Sequence, residues 1–276
     1  MDFIPQHLTL LHLLVLGLAL SIGAVVGSFV TLVADRLPRG EGWATGRSSC
    51  RSCGHVLGPL ELLPLVSLAV QRGRCARCRI PLPADLWLGE VGGALVAAIA
   101  LERGGDVAGM LALAAFGWAL VLLALIDARH LWLPDAITLP LAGCGLAAAL
   151  VLRLSVIGAD IGSDIGPALG PDLGQRALGL VLGWAALEAL RRGYRLLRHS
   201  EGMGGGDPKL LGAIGAWVGA SALPMVVLAA ALMGIAWALI QAARGRPAGG
   251  TTPIPLGTML ALAALGWIAV GQSYPG

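Results

Sequence analysis

The sequence predicts an all-α polytopic membrane protein with about eight transmembrane helices and one small polar domain between the first two. Three observations carry that prediction. Of the 276 residues, 57% are hydrophobic and only 13% are charged, and the mean hydropathy is +0.80, well outside the composition of ordinary globular domains. Apolar runs of membrane-crossing length recur along the chain, and basic residues gather in alternate loops.

The first run, about 8–33, is too long for a signal-peptide core and has no Lys or Arg before it, Arg36 being the first basic residue. It is expected to stay as a membrane helix. Bounded by charges or by Gly and Pro clusters, the later runs fall at about 86–101, 107–126, 134–152, 174–190, 208–222, 224–241 and 254–272. The run 86–101 is short and carries Glu90, and only a tight turn near Pro224 separates 208–222 from 224–241. Counts of seven and nine spans therefore stay open. No internal repeat suggests the paired halves of many transporters.

Orientation follows from the arginines. Loop 34–85 holds Arg36, Arg39, Arg47, Arg51, Arg72, Arg74, Arg77 and Arg79, whereas loop 153–173 sets Asp160, Asp164 and Asp172 against Arg153. Alternation through eight spans places Arg129, Arg191, Arg192, Arg195, Arg198, Arg244 and Arg246 on the same side as the first loop. Basic residues near helix ends stay in the cytoplasm, so all these loops are expected inside and both chain ends outside. The net charge of +3 is thus a topology signal, with anionic lipid as a possible contact, rather than a nucleic-acid footprint.

Within loop 34–85, the pairs Cys50/Cys53 and Cys75/Cys78 form two Cys-x-x-Cys motifs separated by 21 residues. This is the ligand spacing of a zinc ribbon, in which four thiolates complete a closed tetrahedral site. Separate redox pairs are the competing reading, but a cytoplasmic location is reducing and opposes structural disulfides. A closed site leaves no coordination position for catalysis, so the zinc is expected to be structural, folding a loop too poor in apolar residues to build a core. His55 reads as a neighbour of the site rather than a ligand, and Cys144, in an apolar run, as a small core residue.

Three acidic residues lie at membrane boundaries on the side assigned to the cytoplasm. Asp127 ends the third run, Asp135 opens the fourth after Pro134, and Asp207 follows the glycines of "GMGGGD" at 202–207. A helix start explains Asp135 through the helix dipole, and an N-cap is the plain explanation of Asp207. Asp127 stands at the C-terminal end of its helix, where negative charge is disfavoured. Two carboxylates in a partly desolvated site cannot both ionise easily, so one keeps a proton while the other acts as base. That is the chemistry of aspartyl proteases, and glycines beside such a pair admit an extended substrate backbone.

With these motifs in order, the chain resembles the prepilin peptidases, or type IV leader peptidases, which are GxGD-type intramembrane aspartyl proteases. "GSFVTLVADRLP" at 27–38, "RSSCRSCGH" at 47–55, "RGRCARC" at 72–78, "IDARHLWLPD" at 126–135 and "GMGGGDPKLLGAIGAWVG" at 202–219 carry the resemblance. It implies catalytic roles for Asp127 and Asp207, motif glycines at Gly204 and Gly206, and motif positions at Lys209, Asp135 and Glu90. It also implies a first transmembrane helix over 1–34, a cytoplasmic zinc-binding domain over 35–85 and a transmembrane peptidase domain over 86–276. The substrates implied are type IV prepilins or type II secretion pseudopilins, cut on the cytoplasmic side of a bacterial inner membrane. Methylation of the new amino terminus by S-adenosylmethionine is implied as well. Thr31 replaces the usual Asn, and Leu86-Trp87 the usual aromatic-Pro pair, which touches the methylating half and leaves the aspartates intact. The competing reading is a transporter or channel with a zinc-stabilised loop, which would place charges near mid-span.

Overall fold

The structure, a computed structural model, describes residues 6–42, 47–50, 52–64, 66–158, 172–199, 203–245 and 254–270. Arg51, Asp160, Asp164, Gly202 and Arg246 lie outside the described residues. Nine α-helices are present among the described residues: α1 (Gln6–Arg36), α2 (Val66–Gln71), α3 (Ala84–Arg103), α4 (Val107–His130), α5 (Asp135–Gly158), α6 (Leu173–Arg198), α7 (Gly206–Val218), α8 (Leu223–Ala243) and α9 (Leu256–Val270). All but α2 occupy the eight apolar runs. No strand occurs among the described residues beyond two isolated β-bridges. Four segments, Leu10–Arg39, Ala84–Arg103, Val107–His130 and Ala220–Ala243, are long and apolar enough to cross a membrane, and Asp135–Val151 and Leu256–Val270 are shorter apolar helices. Helix α7, with 13 residues, is about 20 Å long against about 30 Å of hydrocarbon.

The chain forms two compact units, Met1–Glu102 and Arg103–Gly276. Helix α3, grouped with the peptidase helices in the sequence analysis, falls in the first unit with α1. There the two helices meet at glycines: a Cβ at Gly23 or Gly27 would run into the α3 backbone at Gly93 and Gly89 respectively. Small residues let helix backbones approach this closely, the usual device where lipid removes the hydrophobic driving force.

The second unit is built around α7. Ten of its 13 residues are buried, including Leu210, Leu211 and Ile214, and it packs on α5, α6 and α9. A helix apolar on every face belongs at the centre of such a bundle. The α6 crossing is set by Gly179 and Gly183 against Gly215 and Leu211, where added side chains would strike facing carbonyls. Across α5, the indole Nε1–H of Trp217 donates to the Leu141 carbonyl at 2.8 Å, and its ring stacks on Phe116 at 4.6 Å between centroids. Buried Arg176 donates to the Gly145 carbonyl at 2.9 Å. Asp106 and Asp172 cap α4 and α6 by accepting the amides of Gly109 and Gln175 at 2.8 Å. Cys144, expected in the core, is instead exposed on α5, because an apolar run in a membrane protein does not say which face meets lipid.

Candidate active site

Asp127 stands in the last turn of α4, which closes at Leu131 in the left-handed conformation (φ 49°) with its amide bonded to the Asp127 carbonyl at 2.9 Å. Although near a helix end, its side chain does not face water: the residue is 4% exposed. Thr258, in the first turn of α9, holds it. The Thr258 backbone N–H donates to Asp127 Oδ2 at 2.7 Å, and the Thr258 hydroxyl lies 3.0 Å from the same oxygen and 3.0 Å from the Ala124 carbonyl. Gly257 is needed beside it, since a Cβ there would lie 3.0 Å from Asp127 Cγ and 2.9 Å from Leu133 Cδ1.

Asp207 is also buried, at 7% exposure. It does not cap α7: the cap position is Gly205, without a side-chain bond, and Asp207 is the second helical residue. The N-cap explanation therefore fails. Gly206 packs on Leu133, where a Cβ would come within 2.6 Å of the leucine's own Cβ. Leu133 thus touches both Gly206 beside Asp207 and Gly257 beside Asp127. Gly204 sits beside the Asp207 carboxylate, where a Cβ would lie 3.6 Å from Oδ2, and Asp127 is near enough for its charge to bear on Asp207. Two aspartates separated by 79 intervening residues are brought into one desolvated site by α4, α7 and the start of α9.

The other sequence-selected residues divide. Lys209 donates from Nζ to both oxygens of Asp135 at 2.7 and 2.6 Å, tying the first turn of α7 to the first turn of α5 on the accessible side. Glu90 lies in the first unit, buried, accepting from Ser28 Oγ at 3.1 Å. Thr31, fully buried one turn beyond Ser28 on α1, donates its hydroxyl hydrogen to the Gly27 carbonyl at 2.9 Å. Arg191, bonded to Glu188 at 3.0 and 3.2 Å, reaches the glycine loop at Gly205. Sequence reasoning missed Thr258, Gly257 and Leu133; the Pro-x-Pro-x-Gly run at 253–257 is a signal that could have drawn attention to the first two.

The four cysteines of the loop converge. Their sulfurs all lie within 4.8 Å of one another, with Cys50 to Cys78 at 3.8 Å and Cys53 to Cys75 at 4.0 Å. Tetrahedral zinc with bonds of about 2.3 Å requires sulfurs about 3.8 Å apart, so the residues fit the ion. Each pair sits on the same turn. Cys50 and Cys75 donate their amides to the carbonyls of His55 and Ile80 at 2.8 and 2.9 Å, and β-bridges join Ser49 to Val56 and Arg74 to Pro81. The residue after each second cysteine, Gly54 or Arg79, takes positive φ at 68° or 60°. The Cys53 and Ser52 amides lower the Cys50 thiol to about 6. Against the lowering pull of the Ile80 amide, burial and the neighbouring sulfurs push Cys78 up to about 11. A bound cation relieves that repulsion. His55 is not a ligand here; its Nε2 pairs with Glu61 Oε2 at 3.0 Å, and that oxygen also accepts the Gly58 amide at 2.7 Å.

Fold and site together define a multi-pass α-helical membrane protein with two buried aspartates in one site and a four-cysteine module. Comparison with known proteins narrows the class. The family model described as bacterial peptidase A24 N-terminal domain matches residues 21–103, and that of the type IV leader peptidase family matches residues 114–239. A protein of Burkholderia pseudomallei called prepilin leader peptidase/N-methyltransferase is 36% identical, over 94% of this chain and 86% of its own length. Proteins of the same description from Pseudomonas aeruginosa (32%, over 90% and 87%) and Aeromonas hydrophila (37%, over 81% and 71%) are similar too. The chain belongs to the type IV leader peptidase family. No solved structure matches it.

Proposed function

We propose that this chain is a membrane aspartyl endopeptidase. It removes the basic leader from type IV prepilins or type II secretion pseudopilins at the cytoplasmic face of a bacterial inner membrane, and it methylates the amino terminus so formed. The observation that supports this most is the pairing of buried Asp127 and Asp207 in one site of a leader-peptidase family member. In that site one carboxylate holds a proton and hydrogen-bonds the scissile carbonyl oxygen, while the ionised partner takes a proton from the attacking water. Gly204 leaves the substrate backbone room to approach, Gly206 lets Leu133 pack beside the site, and the Lys209–Asp135 pair fixes the ends of α7 and α5 that frame it. A transporter gains no support, since both acids lie near helix ends rather than at mid-span.

The loop 35–85 is read as a cytoplasmic domain folded by zinc on Cys50, Cys53, Cys75 and Cys78, and the peptidase is read within 86–276. The arginine distribution supports the orientation. For the methylating half, S-adenosylmethionine supplies when bound an electrophilic methyl group to a free amine. The Ser28–Glu90 pair is a partly buried polar group of the first unit, among the described residues, that could hold its hydroxyl or ammonium groups, whereas Thr31 has spent its hydroxyl hydrogen inside α1. The deciding experiment is cleavage of a purified prepilin by the purified chain, with Asp207→Asn beside it. Trimming by the wild type and none by the variant is expected; equal trimming by both refutes the assignment.

A further inference from the structure

We propose that Thr258 is a positioning residue for Asp127: it holds Oδ2 in place, leaves Oδ1 as the oxygen that exchanges the proton, and follows the charge of the carboxylate with its hydroxyl. The proposal rests on the reading of Asp127 as half of the catalytic pair.

The geometry is specific to one oxygen. Both contacts that Asp127 receives among the described residues, the Thr258 amide at 2.7 Å and the Thr258 hydroxyl at 3.0 Å, fall on Oδ2, and none falls on Oδ1. A carboxylate pinned through one oxygen keeps its plane and presents the other in a fixed direction. The backbone N–H donates whatever the protonation state. The hydroxyl differs, because it has one hydrogen and two acceptors, Asp127 Oδ2 and the Ala124 carbonyl, each at 3.0 Å. When Asp127 is charged, the hydrogen goes to Oδ2, where a charge-assisted bond is the stronger choice. When Oδ1 carries a proton, Oδ2 is a neutral carbonyl oxygen, and the hydroxyl turns to the Ala124 carbonyl. Neither state strands a buried donor. The carboxylate therefore cycles its proton with a rotation of one hydroxyl and no movement of helix α9. Gly257 eases the approach of α9, since a Cβ there would press on Asp127, 3.0 Å from Cγ and 3.1 Å from Oδ2.

The test is steady-state cleavage of a purified prepilin by the full-length chain, comparing wild type with Thr258→Val, Thr258→Ser and Asp127→Asn. Valine keeps the shape and the backbone N–H but has no hydroxyl. It is expected to lower kcat roughly tenfold to a hundredfold, the effect of one lost hydrogen bond to a charged group, while KM stays at the wild-type value; serine is expected to restore most of kcat. Wild-type kcat in Thr258→Val overturns the proposal. So does a loss expressed in KM alone, or one that serine does not repair, since either makes the residue a packing element. If Thr258→Val fails to accumulate in the membrane, Thr258→Ala against Thr258→Ser makes the same comparison through a single oxygen atom. Full cleavage by Asp127→Asn identifies a different failure, that of the catalytic pair itself.

Discussion

At the scale of single residues, burial separates the aspartates. Asp127 and Asp207 are almost inaccessible, whereas the Asp135 side chain is 54% exposed and already neutralised by Lys209. Asp127→Asn and Asp207→Asn keep size and most hydrogen bonding but cannot cycle a proton. Each is expected to reduce prepilin cleavage by roughly a thousandfold or more in a peptide-bond cleavage assay, with membrane abundance unchanged. Asp135→Asn is expected to be milder, because it loses only an exposed ion pair of about 1 kcal/mol or less. Inactivity of Asp135→Asn with activity retained in Asp127→Asn would reverse the roles. Arg79 offers a test of another kind. It occupies in its knuckle the left-handed position that Gly54 fills in the other, a conformation costing an L-residue about 1 kcal/mol. Arg79→Gly is expected to hold zinc at least as tightly as wild type in a chelator competition; loss of the metal would show that the guanidinium, not the backbone, matters there.

At the scale of elements, the position of Asp207 depends on a helix too short to span the hydrocarbon and buried along most of its length. Helix α7 lies against α6 with no room for side chains at Gly179 and Gly215, whose backbones are in contact. Gly215→Val forces the two helices apart. Overpacking of this sort costs typically 1–3 kcal/mol, and here it would also shift the helix that carries Asp207. The expected result is lowered membrane abundance and cleavage lost out of proportion to it. Gly234→Val, in open space on α8, is the control and is expected to be silent. The glycines of α6 and α7 were visible in the sequence, yet their pairing was not, because small residues mark a close approach without naming the partner.

At the scale of the whole molecule, the four-cysteine cluster and the apolar helices mark out the organisation. Beyond the end of α1, loop 34–85 has few buried apolar side chains, Cys75 being the one buried hydrophobic residue among those described in 37–85. Its order is therefore expected to depend on the ion. Chelation or Cys75→Ser is expected to release about one zinc per chain and to open the loop to proteases while the membrane helices stay resistant. Resistance of a metal-free loop would remove zinc from the account. A reporter fused in the loop is expected to behave as cytoplasmic and one near Asp164 as periplasmic; the same side for both would overturn the topology.

What the sequence by itself determined was whatever depends on local composition and spacing. Apolar runs must be helical in lipid, where backbone groups have no other partner, so eight helices could be placed before any contact was known. Four cysteines at knuckle spacing imply one another because a tetrahedral ion needs all of them, and Asp127 stood out because a negative charge is misplaced at a helix C-terminus. Only the tertiary structure decided what lies opposite what. It joined Lys209 to Asp135, moved Cys144 to an exposed face, showed that Asp207 is no helix cap, and brought Thr258 onto Asp127 from across 130 residues of chain. A threonine in an apolar helix carries no mark of its partner. Its role exists only once α9 crosses α4 closely enough, at Gly257, for a hydroxyl to reach a carboxylate.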